Sequence, residues 1–285
     1  MKILILNNWF HGKNKIGLEK MLNYLGYEYE YGDNKKIKDY EVIYSPSQPI
    51  DVSKYPDKKF IFGPHFSVFP DNKLKKISNK NNSVYIQPSI WAAKQWIIKG
   101  ADEYLPIKVL PFAVDIEKFK PIKEEREKIM LYYKTRDSKE LDLLENFLKS
   151  KQIIYKIFSY KKRYQEEDYL RYLQECKYGI ILGRHESQGF AIEEALSCNV
   201  PLLVWNAICM SQETISGYSK AESTTIPYWD SKCGEYFTKY DELEEKFNIF
   251  LDKVNKKEYN PRDFILNNLT EKHCGEVLKD IIESI

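Results

Sequence analysis

Short apolar runs alternate along this chain with longer stretches whose apolar positions recur every three or four residues. Lys2–Leu6 is apolar and ends at Asn7–Asn8; from Ile16, Leu18, Met21, Leu22 and Leu25 share one face, which predicts a strand and then an amphipathic helix. Strands are also predicted at Val42–Tyr44, Lys59–Phe62, Val84–Gln87 and Ile107–Leu110, with a helix capped by Ser89 that carries Trp91 and Trp96 as packing residues. The rhythm then restarts. A strand at Lys128–Tyr133, a helix with Leu141, Leu144, Phe147 and Leu148 on one face, a strand at Ile153–Phe158 and a helix ending at Cys176 lead to the run Tyr178–Leu182. A helix opens at Phe190, and Leu202–Trp205 is apolar on consecutive positions, as in a parallel strand covered on both faces. Amphipathic helices around Leu243–Val254 and from Cys274 to Ile285 finish the chain. Strands alternating with helices predict an α/β protein with parallel sheets.

The 285 residues suffice for two domains of roughly 120–150 residues, each burying its own core. Pro121 and the charged Lys123–Glu124–Glu125–Arg126 mark a boundary, giving domains 1–121 and 122–264 ahead of a terminal helix, 265–285. No apolar run approaches the roughly 20 residues that span a bilayer, and Met1–Lys2 leads directly into a strand, so a cytoplasmic protein is expected, including one working at the cytosolic face of a membrane. Five scattered cysteines without a Cys–x–x–Cys pair read as reduced thiols rather than a zinc site or disulfide framework. Charge is unevenly divided: 19 Lys against 13 acids up to Lys120 give +6, which leaves −4 beyond. That excess is compatible with an anionic acceptor or peripheral contact with an acidic membrane surface, but scattered solvating lysines are the preferred reading. No dense basic cluster interleaved with aromatics marks a nucleic-acid site.

Candidate chemistry concentrates in Gly183–Arg184–His185–Glu186–Ser187–Gln188–Gly189–Phe190, between a predicted strand and a predicted helix. A loop at the carboxyl edge of a parallel sheet is where open α/β folds bind ligands. The amides of Ser187, Gln188, Gly189 and Phe190 precede or open the helix, and with its dipole they favour an anion such as phosphate; Gly189 lets the backbone come close. Glu186 and Glu194 bracket that position at a spacing on the order of 10 Å. A nucleoside diphosphate sugar has matching parts, with hydroxyls at both ends for ionised carboxylates and phosphates between.

Glu186, seven intervening residues and Glu194, followed by Ala195–Leu196 and Val200–Pro201, resemble the signature of retaining glycosyltransferases of the GT-B fold, family 4. The resemblance extends to Pro88–Ser89–Ile90–Trp91 and to the linker Leu110–Pro121, although Phe112–Ala113 replaces the usual Asn–Gly. It implies two Rossmann-like α/β domains facing a cleft, with the terminal helix packing back on the first. It implies that Glu186 contacts the donor sugar, Glu194 the ribose, and the amides of Ser187, Gln188, Gly189 and Phe190 the diphosphate. Lys134 and Arg136, after the strand that opens the second domain, match the cationic pair that neutralises the leaving nucleoside diphosphate. Tyr160–Tyr164 matches the segment that holds the nucleobase, with Tyr164 as its donor-side residue. In the first half, the loop bearing Gly12 resembles the one approaching donor phosphates or acceptor, with His11 and Lys13 as further candidates, and His65 matches a histidine facing the donor sugar. An acceptor that is a glycan, lipid or protein follows, with a UDP- or GDP-sugar donor and no further cofactor.

The resemblance also implies retention of anomeric configuration without a protein nucleophile. No Asp–x–Asp signature stands at a strand end, so charge neutralisation without a metal is expected. Two other readings fit the same residues: a GT-B sugar-nucleotide epimerase or phosphorylase, and a non-catalytic subunit that binds a nucleotide sugar or glycan.

Overall fold

The structure, a computed structural model, describes residues 1–162 and 164–285. It divides into two compact units: Met1–Ala113 with Asn268–Ile285, and Val114–Asn267.

The first unit is built on six parallel strands, β1 (Lys2–Leu6), β2 (Glu28–Gly32), β3 (Val42–Ser45), β4 (Lys59–Phe62), β5 (Ser83–Gln87) and β6 (Ile107–Val109), in the order β2-β1-β3-β4-β5-β6. The two faces of β1 go to different layers. Ile3, with Tyr44 and Ile61, meets Leu18 and Leu22 of α1 (Gly12–Tyr24) and Leu278 and Ile282 of the terminal helix around an apolar void of about 10 Å³. Leu4 and Leu6 face the other way, into a core with Ile43, Phe60, Phe62, Tyr85 and Trp96. Trp96 belongs to α2 (Ile90–Ile98) and stacks on Tyr85 at 4.1 Å between ring centroids. Single 3₁₀ turns, Val52–Lys54 and Leu74–Ile77, make the crossovers between β3, β4 and β5. Among the described residues, no α-helix lies between β3 and β5. β2 is an edge strand that no apolar run announces, because Glu alternates with Tyr along it.

The second unit has five parallel strands, β7 (Lys128–Lys134), β8 (Lys156–Ser159), β9 (Cys176–Gly183), β10 (Leu202–Trp205) and β11 (Gly234–Phe237), ordered β11-β10-β9-β7-β8. Leu131, Tyr133, Ile180, Leu182 and Leu203 pack with Leu144 and Leu148 of α3 (Ser138–Ser150) and with Phe247 and Phe250 of α6 (Leu243–Asn255). Tyr132, of opposite parity, contacts Tyr169 of α4 (Glu166–Leu173), whose hydroxyl donates to the Ala191 carbonyl in α5 (Phe190–Ser197) at 2.7 Å. The division falls at Val114, ahead of Pro121, because the linker is fastened to the second unit: Arg262 of α7 (Pro261–Asn268) donates to the carbonyls of Ile116, Phe119 and Ser197, and Phe119 is buried. At the other end α8 (Glu271–Glu283) lies in the first unit, where a Cβ on Gly275 would meet Tyr24 of α1 at 3.1 Å.

Candidate functional site

In the second unit the strand order reverses between β7 and β9: β8 lies outside β7, while β10 and β11 lie beyond β9. Connections leave such a point in opposite directions and open a crevice at the carboxyl ends. The last pair in register there is Lys134 with Gly183, so the loops after β7 and β9 start side by side.

Lys134 extends from the end of β7 to Glu186 on the loop after β9, with Nζ 2.7 Å from Oε1; both side chains are only about one-seventh exposed (13% and 14%). The same ammonium lies 4.9 Å from the Tyr160 ring centroid. Gly189 precedes α5 with φ of +97°, a left-handed conformation that side chains rarely adopt. A Cβ there would make only ordinary contact with the Glu186 side chain, at 3.4 Å, so the backbone angle rather than space calls for glycine. Glycine therefore sets the start of the helix.

Glu194, one turn into α5, is buried. It and Glu186 both raise the affinity of the Tyr132 and Tyr164 hydroxyls for their protons. The two carboxylates and the two phenols thus share one neighbourhood. Burial is the main cause for both rings, pushing Tyr164 up to about 12, and the hydroxyls are hydrogen-bonded to each other. Tyr164 packs edge-on against Phe158 at 5.4 Å and at a tilt against Tyr169 at 5.2 Å, forming an aromatic wall beside the acids. Arg163, within the predicted nucleobase segment Tyr160–Tyr164, lies outside the described residues.

Arg136 requires a correction. Its side chain is fully buried, pairing with Glu140 through Nε at 2.8 Å and Nη2 at 2.6 Å, while Nη1 donates to the carbonyls of Gly183 and Trp205. A guanidinium spent in this way ties the ends of β9 and β10 to α3 and is not presented to a diphosphate. Gln188 is likewise turned inward, its side-chain amide donating to Glu193 at 3.1 Å, whereas Ser187 is exposed.

A further layer carries no motif. Residues 206–227, between β10 and β11, are stapled to both site loops: Glu186 N donates to Thr224 O at 2.9 Å, and Thr214 N to Thr135 O at 3.0 Å. Buried Glu213 accepts from Arg184 Nη1 through both oxygens at 3.0 Å and lies 3.9 Å from His185 Nε2. Burial, reinforced by Arg184 and Lys134, holds His185 neutral down to about 3. Tyr132 and Glu213 were not legible in the sequence, since one sits in an apolar strand run and the other in a long loop.

In the first unit, the Asn8 side chain donates to Ser45 Oγ at 3.1 Å and accepts from Ser47 N at 3.0 Å, joining the loops after β1 and β3. That too is a reversal of strand order. His65, after β4, meets Trp9 edge-on at 4.6 Å, and its Nε2 is buried with no hydrogen-bond partner. Burial, and secondarily His11, lower its pKa to about 4. Trp9 is 63% exposed. Gly12 opens α1, and a Cβ there would meet nothing within 4 Å, so no close approach requires glycine. Lys13 follows Gly12 in the first turn of α1. Among the described residues, no group of three or more His, Cys, Asp or Glu gathers in a way that could hold a metal ion.

No protein-family model matches the sequence, and no curated protein is similar to it. Solved structures do match along the whole chain. The lipopolysaccharide outer core galactosyltransferase WaaB in its apo form aligns with a TM-score of 0.59 at 13% identity, covering 100% of this chain and 99% of that one. Sucrose-phosphate synthase from Thermosynechococcus elongatus aligns at 0.60 with 9% identity, covering 99% and 98%. The catalytic domain of starch synthase IV from Arabidopsis thaliana, bound to ADP and acarbose, aligns at 0.60 with 7% identity, covering 99% and 98%. The fold is GT-B. At such identities the likeness concerns the fold.

Proposed function

We propose that the chain is a glycosyltransferase that moves a sugar from a nucleotide-sugar donor to a hydroxyl-bearing acceptor, with retention and without a metal. The observation that carries this reading is the grouping of Glu186, Lys134, Glu194 and the glycine-started helix α5 at the β7/β9 reversal.

A diphosphate at the start of α5 would meet the positive end of the helix and the ammonium of Lys134. As the bond from the anomeric carbon to the phosphate oxygen breaks, negative charge grows on the leaving diphosphate, and Lys134 stabilises it there. The anomeric carbon bonds to the acceptor oxygen, and the acceptor proton passes to the leaving phosphate, so no protein nucleophile is required. Glu186 accepts from hydroxyls of the sugar, Glu194 from those of the ribose, and Tyr164 lines the side where the base would lie. With Arg136 and Arg184 committed to Glu140 and Glu213, Lys134 and the amides bear the neutralisation. His65, neutral above about pH 4, offers a hydrogen-bonding partner for a substrate hydroxyl. A UDP- or GDP-sugar is the expected donor.

That commitment of both arginines also favours a second reading, a subunit that binds a nucleotide sugar without turning it over. Slow hydrolysis of the donor separates the two. Incubated with a panel of nucleotide sugars, the protein should hydrolyse at least one, and Glu186→Ala should abolish the hydrolysis. Binding of a donor with no turnover, with or without acceptors, would establish the binding subunit, and an altered sugar nucleotide would establish an epimerase.

A further inference from the structure

Among the described residues, four other than glycine have a positive φ: Thr135, Gln152, Asn199 and Lys257. Gln152, Asn199 and Lys257 each stand one residue past the cap of a helix (α3, α5 and α6), where a left-handed residue is an ordinary ending. Thr135 is different. It follows a strand, its φ is +50°, and it is the β-branched member of the four, the type for which that region is most strained. Its side chain is buried and, among the described residues, its hydroxyl has no hydrogen-bond partner, so nothing in the residue itself supports the turn.

The support comes from elsewhere. Thr214, in the 206–227 loop, donates to Thr135 O through N at 3.0 Å and through Oγ1 at 3.3 Å. The carbonyls on either side are also taken: Lys134 O accepts from Arg184 N at 3.0 Å, and Arg136 O from the Tyr133 hydroxyl at 2.6 Å. A backbone held at three successive carbonyls keeps a conformation that its own residue disfavours. The consequence is one of direction. Residues two apart on a strand point to the same face, so an extended Thr135 would send Lys134 and Arg136 the same way. With the left-handed turn between them, Lys134 reaches Glu186 and Arg136 turns inward to Glu140. Glycine would take this turn freely. A threonine takes it only while Thr214 holds its carbonyl, so the direction of Lys134 depends on the 206–227 loop.

We propose that Thr135 is a positioning residue: its left-handed backbone, held by Thr214, aims Lys134 at the diphosphate and makes that aim conditional on the 206–227 loop. This rests on the reading of Lys134 as the cation that meets a nucleoside diphosphate.

The test is a pair of substitutions in the full chain, with UDP and GDP binding measured by calorimetry. Thr214→Pro, which lacks both donors, should bind the better nucleotide about tenfold more weakly than the parent, because Thr135 returns to negative φ. Adding Thr135→Gly should bring binding back to within about twofold of the parent, since glycine takes either sign of φ. Damage to packing would not be mended by removing a second side chain. Should Thr214→Pro fail to melt cooperatively, Thr214→Val, which loses only the hydroxyl bond, takes its place, with a loss of about twofold or more that Thr135→Gly again restores. Crystal structures give a readout that needs no nucleotide: Lys134 Nζ should leave Glu186 in Thr214→Pro and return to it in the double variant. A Thr214 variant that binds like the parent would overturn the proposal, as would a loss that Thr135→Gly leaves in place. If the parent binds neither nucleotide, the donor reading falls, and the Lys134–Glu186 contact in the crystals decides whether Thr135 positions the lysine.

Discussion

Lys134 ends β7 and Arg136 stands two residues on; their settings differ, which their shared charge conceals. Arg136 is sealed beneath the site on Glu140 and two strand-end carbonyls. Arg136→Met should therefore cost about 3 kcal/mol of stability, the scale for breaking a buried pair. Chemical denaturation would show this as a lower midpoint with an unchanged slope; a stability equal to the parent's would mean the pairing contributes nothing. The histidines supply a second prediction. His65 and His185 stay neutral in the fold down to about 4 and 3, whereas in the unfolded chain they take up protons below about 6.5. Their contribution is complete above about pH 6.5 and declines as pH falls, by at most about 1.4 kcal/mol per pH unit for each. Stability measured between about pH 6.5 and 5 should fall less steeply in His185→Asn than in the parent, and equal slopes would contradict the burial argument. At this scale the placement of Glu186 and Glu194 was legible, since the apolar run before them and the glycine between them locate one on the loop after β9 and the other in α5, where they stand. It was not legible at Arg136, because nothing local distinguishes a guanidinium aimed at a ligand from one aimed inward. Tyr132 and Glu213 owe their positions to residues far away in the chain.

Among the elements, apolar runs located the central strands well, since a strand covered on both faces has no polar alternation to blur it. The edge strand β2 escaped, and so did the 3₁₀ crossovers, whose three- and four-residue lengths give a period no room to show. α8 shows what periodicity leaves open: its 3–4 stripe announces burial but not the partner. The partner is the layer of α1, Ile3 and Ile61, approached closely at Gly275. Gly275→Val should push α8 off Tyr24 and cost about 1–3 kcal/mol. Amide exchange should quicken in α1 and α8 together; a protection pattern identical to the parent's would show that the close approach is not needed.

For the molecule as a whole, two parallel α/β units of the GT-B fold arise from a chain that shares only 7–13% identity with WaaB, sucrose-phosphate synthase and starch synthase IV. Such recurrence is understandable, because the fold needs apolar strands, covering helices and a reversal of strand order rather than particular residues. The proposed function rests on much less, a few side chains at the reversal in the second unit. The central claim is that this place binds a nucleoside diphosphate, and titration of UDP and GDP while following the melting temperature tests it most directly. A ligand that binds only the folded state raises stability with its concentration, by about 2.7 kcal/mol at one hundred times its Kd. At least one of the two should raise the melting point in this way, and Lys134→Ala should require at least about tenfold more nucleotide for the same shift. A melting point unmoved by either nucleotide would contradict the account.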